Sequence, residues 1–214
     1  MFEHVISDDV ADLVRLYEPG IELVSIERPE RSDLNHSAQR CIEAKIPLSA
    51  RGVFVVGDRE SFAAATQGLR ASDGSVDVLL DDVYWCAEVF GELLGCSSVG
   101  FRLQTLREPM CPKFHVDRIP CRLLVTYGGP GTEWIPDPWV DRSSVGGFES
   151  DNYPIRQGGH HSSLAGEALS ILKGATWTQS TAARGSPEPA IAPGVVHRSP
   201  QTMQGRILFS LDPM

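Results

Sequence analysis

Positive charge is scarce in this chain of 214 residues: 19 Lys and Arg stand against 28 Asp and Glu, for a formal net charge of -9. A surface of that sign repels phosphate backbones and anionic lipid, and no Lys/Arg cluster reverses it locally, so no nucleic-acid partner is expected. Long apolar runs are missing as well. Nothing approaches the roughly 20 residues of a membrane span, which argues against a membrane partner. The opening stretch MFEHVISDDVADLV carries acids where a secretory signal carries bases, and it lacks the apolar run of one. Cysteine is sparse and badly spaced for cross-linking. The five thiols (Cys41, Cys86, Cys96, Cys111, Cys121) include no Cys-x-x-Cys pair and are odd in number. That excludes a simple disulfide framework and points to a reduced cytoplasm.

What is present reads as two kinds of chain. In residues 1–96 helical periodicity dominates. SDDVADLVRLY (7–17) opens with a capping Ser and places Val10, Leu13, Val14 and Tyr17 at helical spacing. GIELVSIERP (20–29) reads as a strand stopped by Pro29. Residues 35–46 and 59–70 read as helices, with a buried strand over 51–58 between them. The clearest helix is 77–94, where Val78, Leu79, Val83, Cys86, Val89, Phe90 and Leu93 form one stripe and Gly95 ends it. No His, Cys and carboxylate gather there as a site would.

After Gly100 the helical period disappears. FRLQTL (101–106), FHVD (114–117), CRLLVTY (121–127), ALSIL (168–172), GVVH (194–197) and RILFSLD (206–212) are short β-type runs separated by Gly, Pro and polar loops. Such a series predicts a sandwich, barrel or jelly roll. The long irregular connections over 141–163 and 178–193 read as lids or surface loops.

One constellation in this half carries chemistry. His115 and Asp117 lie two apart in an apolar run, and in a strand residues i and i+2 share a face, so imidazole and carboxylate project together. They are two thirds of a 2-His-1-carboxylate triad, a set that leaves three positions of a non-heme Fe(II) open. His197 follows Val195–Val196 and lies 80 residues after Asp117, enough chain to cross a jelly roll and return. Nine residues later, at the head of a strand, Arg206 offers a fork for a carboxylate.

The stretch CPKFHVDRIPCRLLVTYGGPGTEWIPD, with LKGATW and VVHRSPQTMQGRILFSLD further on, closely resembles the bacterial family called domain of unknown function 1826. GIELVSIERP fits the early part of that family, which brings no established activity. The C-terminal pattern also resembles the iron- and 2-oxoglutarate-dependent oxygenases: HxD, then Gly166–Glu167, the ALSIL strand, a loop, His197, Gly205–Arg206 and a final strand. That resemblance implies Fe(II) held by His115, Asp117 and His197, with Arg206 on the co-substrate carboxylate. It also implies a second polar contact from an early core strand, for which Tyr127 and Arg122 are the candidates, and these point to opposite faces of a regular strand. The expected fold is then α+β: a double-stranded β-helix (jelly roll, cupin-like) core over 97–214, with an N-terminal segment over 1–96 whose helices pack on it. The expected activity is that of a 2-oxoglutarate-dependent dioxygenase acting on a small-molecule or peptide substrate. The N-terminal half is left open between substrate recognition and homodimerisation.

Other residues compete for the same metal. Cys111 and Cys121 flank the HxD as Cys-x3-His-x-Asp-x3-Cys, and thiolate ligation would select Zn(II) and a zinc-binding jelly roll without redox chemistry. The triad alone also takes Zn(II). His160 and His161 follow two glycines and read as loop residues or as a lid over the metal. Lys173 and Trp177 read either as residues of the pocket mouth or as a surface Lys and a core Trp. Glu133 reads as a turn acid or a support for the site, and Arg198 is a rival of Arg206 for an anion.

Overall fold

The structure is a computed structural model that describes residues 2–43, 47–69, 74, 76–145, 153–178 and 193–214. Much of the two expected loops (146–152 and 179–192) and the ends of two expected helices (44–46 and 70) lie outside the described residues. The described strands are β1 (Glu3–Ser7), β2 (Ile21–Ile26), β3 (Ser49–Val55), β4 (Ser98–Leu106), β5 (Cys121–Tyr127), β6 (Glu133–Ile135), β7 (Ser162–Ser163), β8 (Leu169–Lys173), β9 (Val196–Arg198) and β10 (Arg206–Pro213). The α-helices are α1 (Ser32–Glu43), α2 (Arg59–Thr66) and α3 (Asp77–Leu94), and the longest of the 3-10 helices described spans Val10–Tyr17.

The architecture is mixed α+β around one large sheet. Seven strands run in the order β1-β2-β8-β5-β10-β4-β3, and a second sheet has the order β7-β6-β9. Thus β1 and β2 from the first half of the chain extend one side of the large sheet, and β3 forms the opposite edge. The chain alternation of β5 explains the layering. Cys121, Leu123, Val125 and Tyr127 turn to one face and join α3 residues Leu79, Val83, Cys86 and Phe90 in the main core. Arg122, Leu124 and Thr126 turn to the other. On that second face Leu23, Leu106, Leu124, Leu172 and Leu208 of the large sheet pack against Trp134, Leu164 and Val195 from and around the small one. Two sheets therefore enclose one polar-lined cavity.

Several local expectations are revised. The strand expected over 51–58 is the edge strand β3 and is buried only at Phe54, because an edge leaves one side of the ribbon to solvent. The first helix is 3-10, and its cap is Asp9, whose side chain accepts from the Ala11 N–H. Ser7 instead closes β1. Residues 114–117 form no strand. Within them only His115 pairs, through an isolated antiparallel bridge to His197. By contrast α3 has the expected bounds, and Gly95 ends it in the left-handed conformation at φ 65°. Among the described residues no helix is long and apolar enough to cross a membrane.

Candidate metal centre

His115 and His197 are joined by their backbones. Each N–H donates to the other's carbonyl at 3.0 Å, the reciprocal pair of a closely spaced antiparallel bridge. That pairing sets the two imidazoles side by side, with ring centroids 4.5 Å apart. Each ring is then fixed by its own Nδ1, which lies 3.0 Å from a backbone carbonyl two residues earlier: Lys113 for His115 and Val195 for His197. A carbonyl only accepts, so each Nδ1 carries the proton and each Nε2 keeps its lone pair. Both Nε2 atoms face the Asp117 carboxylate, each at 3.6 Å from one of its oxygens. One ligand atom from each of the three residues lies within 4.8 Å of the others.

Asp117 is held by neighbouring strands. Its carbonyl accepts from Ala175 N–H at 2.8 Å in the LKGATW turn after β8. Gly174 makes that turn feasible, since a Cβ there would collide with the carbonyl oxygens of Ile119 and Asp117. On the carboxylate, Oδ2 accepts from Arg122 Nη1 at 2.7 Å. The rest of the Arg122 fork grips Asp212, through Nε at 2.7 Å and Nη2 at 2.8 Å. Arg122 thus orients the carboxylate.

The electrostatics suit a cation. Burial opposes charge on Asp117, but contact with His115 and the charges of His197 and Arg122 prevail and hold its carboxyl down at about 2. Burial, helped by His115, lowers His197 to about 4. The Asp117 carboxylate raises His115. At neutral pH the centre therefore offers an ionised carboxylate and a neutral buried imidazole, the protonation state that metal ligation needs. Two imidazole nitrogens and a carboxylate oxygen are a donor set that would suit Fe(II) or Zn(II).

Arg206 lines the same cavity and is 3% exposed. Its contacts are weak: Nη2 to Ser199 Oγ at 3.3 Å and Nη1 to the Pro130 carbonyl at 3.5 Å. Burial pulls its pKa down to about 10. Among the described residues no carboxylate pairs with it, so an uncompensated buried guanidinium faces the cavity that holds the triad.

The remaining candidates separate. Tyr127 does not line the cavity. Period two places it on the helix face, where its hydroxyl donates to Asp82 Oδ2 at 2.7 Å. Arg122 lines the cavity, but its fork is filled by Asp212 and Asp117. Cys111 is exposed and lines the cavity, whereas Cys121 is buried in the helix-side core, where burial raises its thiol to about 12. The two thiols do not converge on the triad. Arg198 is bound by Glu133, Nε to Oε2 at 2.6 Å, and its guanidinium stacks 4.2 Å from the Phe114 ring centroid. His161 lies near Glu133 and Tyr153, and His160 near Trp139; neither joins the ligand group. Lys173 is neither surface nor mouth: it is buried, donates to the Ile21 carbonyl at 2.5 Å and lies 5.0 Å from the Trp177 ring centroid. Ser199, Asp212 and Arg102 also belong to the cavity or its support and were not singled out from sequence. The alternation from Arg206 through Leu208 and Ser210 to Asp212 was the available signal.

The fold is similar to that of two plant enzymes. A rice dioxygenase for auxin oxidation superposes with a TM-score of 0.51 at 10% identity, over 100% of this chain and 83% of that protein. The dioxygenase for auxin oxidation 1 of Arabidopsis thaliana, solved with 2-oxoglutarate, gives 0.52 at 10% identity, over 100% and 92%. No curated protein matches the sequence. The family model for proteins of unknown function DUF1826 matches residues 7–212, which include His115, Asp117 and His197, and the chain belongs to that family.

Proposed function

We propose that this protein is a mononuclear non-heme Fe(II), 2-oxoglutarate-dependent oxygenase on a double-stranded β-helix. The observation that carries the reading is the placement of a His-Asp-His ligand set and the uncompensated Arg206 in a single cavity. The fold likeness to the two plant dioxygenases supports the class of fold and says nothing of the substrate. The odd number of cysteines and the lack of a Cys-x-x-Cys pair are the sequence features that favour a cytoplasmic location.

His115, Asp117 and His197 would hold the metal, with Arg122 fixing the Asp117 carboxylate and the two Nδ1–carbonyl contacts fixing the rings. Fe(II) when bound supplies the one-electron and O2 chemistry that no side chain has. Arg206 would donate its fork to the distal carboxylate of 2-oxoglutarate, and Ser199 Oγ beside it would help to orient that group. Leu124 and Leu208 line the same cavity and keep its floor apolar. The protein's share is ligand geometry, co-substrate orientation and exclusion of water.

Metal analysis of protein purified anaerobically, followed by addition of 2-oxoglutarate, tests this reading. Iron, together with the weak visible charge-transfer band of a chelated 2-oxo acid, is the expected result. Zinc with no band on reconstitution with Fe(II) would replace it with a zinc-binding role without redox chemistry.

A further inference from the structure

Four arginines (Arg102, Arg122, Arg198 and Arg206) line the cavity of a protein whose net charge is -9. Two are neutralised within the chain, Arg122 by Asp212 and Asp117 and Arg198 by Glu133. Arg206 is assigned above to the co-substrate. Arg102 remains. It is half-buried on β4, and its guanidinium donates to the Met110 sulfur at 3.2 Å, a weak acceptor. No carboxylate of the described residues pairs with it.

Its position differs from that of Arg206. Across the β4–β10 ladder Arg102 is opposite Ser210, while Arg206 is opposite Leu106. Ser210 is two residues from Asp212, the anchor of Arg122 and through it of the ligand Asp117. Arg206 starts the strand, four residues and roughly 13 Å of rise further away. Arg102 therefore stands toward the metal end of the cavity floor and Arg206 at its far end.

Charge points the same way. The four arginines face three carboxylates: Asp117, Asp212 and Glu133. A divalent ion and the dianion of 2-oxoglutarate cancel each other, which leaves one positive charge, on Arg102. Around it Leu124, Leu208 and Met110 are apolar. We propose that Arg102 binds the carboxylate of the substrate, and that the substrate is a small organic acid with an apolar body. The assignment rests on the oxygenase reading for the role of Arg206, but Arg102 can be tested apart from it.

The test uses the metal-loaded full chain without O2, saturated with 2-oxoglutarate, and titrates phenylacetate, its neutral amide phenylacetamide, and inorganic phosphate. Phenylacetate should bind, and the amide and phosphate should bind far more weakly. Arg102→Gln should weaken phenylacetate roughly ten- to hundred-fold, and Arg102→Lys should restore part of the loss. Both variants should keep the 2-oxoglutarate affinity and its visible band. The same titration on Arg206→Ala, which lacks the co-substrate anchor, should still show binding that depends on Arg102. Absence of phenylacetate binding, equal binding of acid and amide, no effect of Arg102→Gln, or a preference for phosphate overturns the proposal. So does loss of 2-oxoglutarate binding in Arg102→Gln, which would make Arg102 the co-substrate residue. If the wild-type protein shows no 2-oxo acid band and yet binds phenylacetate through Arg102, the oxygenase reading fails and this one stands.

Discussion

Arginines withdrawn at least partly from solvent lie on both faces of the large sheet, and they are treated in opposite ways. On the helix face Arg28 donates both ends of its fork to Asp82, at 2.8 and 2.9 Å, and its Nε to the Glu167 carbonyl. Asp82 also accepts from Tyr127, and from Arg31 at 3.5 Å, with the Cys86 thiol beside it. The Arg28 guanidinium and the Asp82 carboxylate thus complement each other between α3 and the end of β2. On the cavity face Arg206 is the more deeply buried of the two, yet it has only two long contacts with neutral oxygens. A charge satisfied by its own chain ties elements together; one left unsatisfied in a cavity is kept for a ligand that brings the opposite sign.

The contrast can be broken most sharply at the triad. His115→Ala, Asp117→Ala and His197→Ala should each abolish stoichiometric metal binding, read by metal analysis after dialysis, while circular dichroism remains that of the folded chain. Full metal occupancy in all three variants would remove the centre altogether. Next in size is the Arg28–Asp82 pair. Asp82→Ala strands Arg28 in the interior and should cost about 3–5 kcal/mol in urea unfolding. Its metal content per folded molecule should not change. A loss below about 1 kcal/mol would mean that the helix-face network is ornamental.

Arg206 should respond in the reverse sense. Arg206→Ala should weaken 2-oxoglutarate about ten- to several-hundred-fold, on a charge-assisted pair of about 1.5–3 kcal/mol, while Fe(II) remains bound. Arg206→Met, which removes an uncompensated cation at similar volume, should leave the unfolding midpoint unchanged or higher. Arg198→Ala should affect the co-substrate less, because its guanidinium is already satisfied by Glu133. If Arg198→Ala does the damage and Arg206→Ala is silent, the anion anchor has been placed on the wrong strand. The smallest effect is expected from Cys111→Ser with Cys121→Ser. Metal affinity should not move, since Cys121 faces the helix-side core, and a large loss would reopen thiolate ligation.

The triad was legible in the sequence because its two parts are short-range signals: a pair two residues apart, and a lone histidine after an apolar strand start. The route to its geometry was not. FHVD forms no strand, and His115 is aligned by a single bridge to His197 that local pattern does not reveal. Period two along β5 correctly separates Arg122 from Tyr127, but not which face meets the cavity, because that depends on where α3 packs. Arg122 was missed as a support for Asp117 for a related reason. Its partner Asp212 is 90 residues away and comes opposite it only through the register of β5 with β10, which is a property of the assembled sheet.

The place of β10 bears on how the chain is assembled. It pairs with β4 on one side and β5 on the other, so residues 206–213 are the keystone of a sheet whose other strands all precede them. Without β10 the described strands of the large sheet fall into two blocks, β1-β2-β8-β5 and β4-β3. Each presents a bare ladder edge until the keystone is made. Those edges are apolar on one side and ready to accept any extended segment, including the same strand of another nascent chain. The protein should therefore depend on chaperone capacity when overproduced, and its yield should respond more to lesions in β10 than to equal lesions in the edge strand β3.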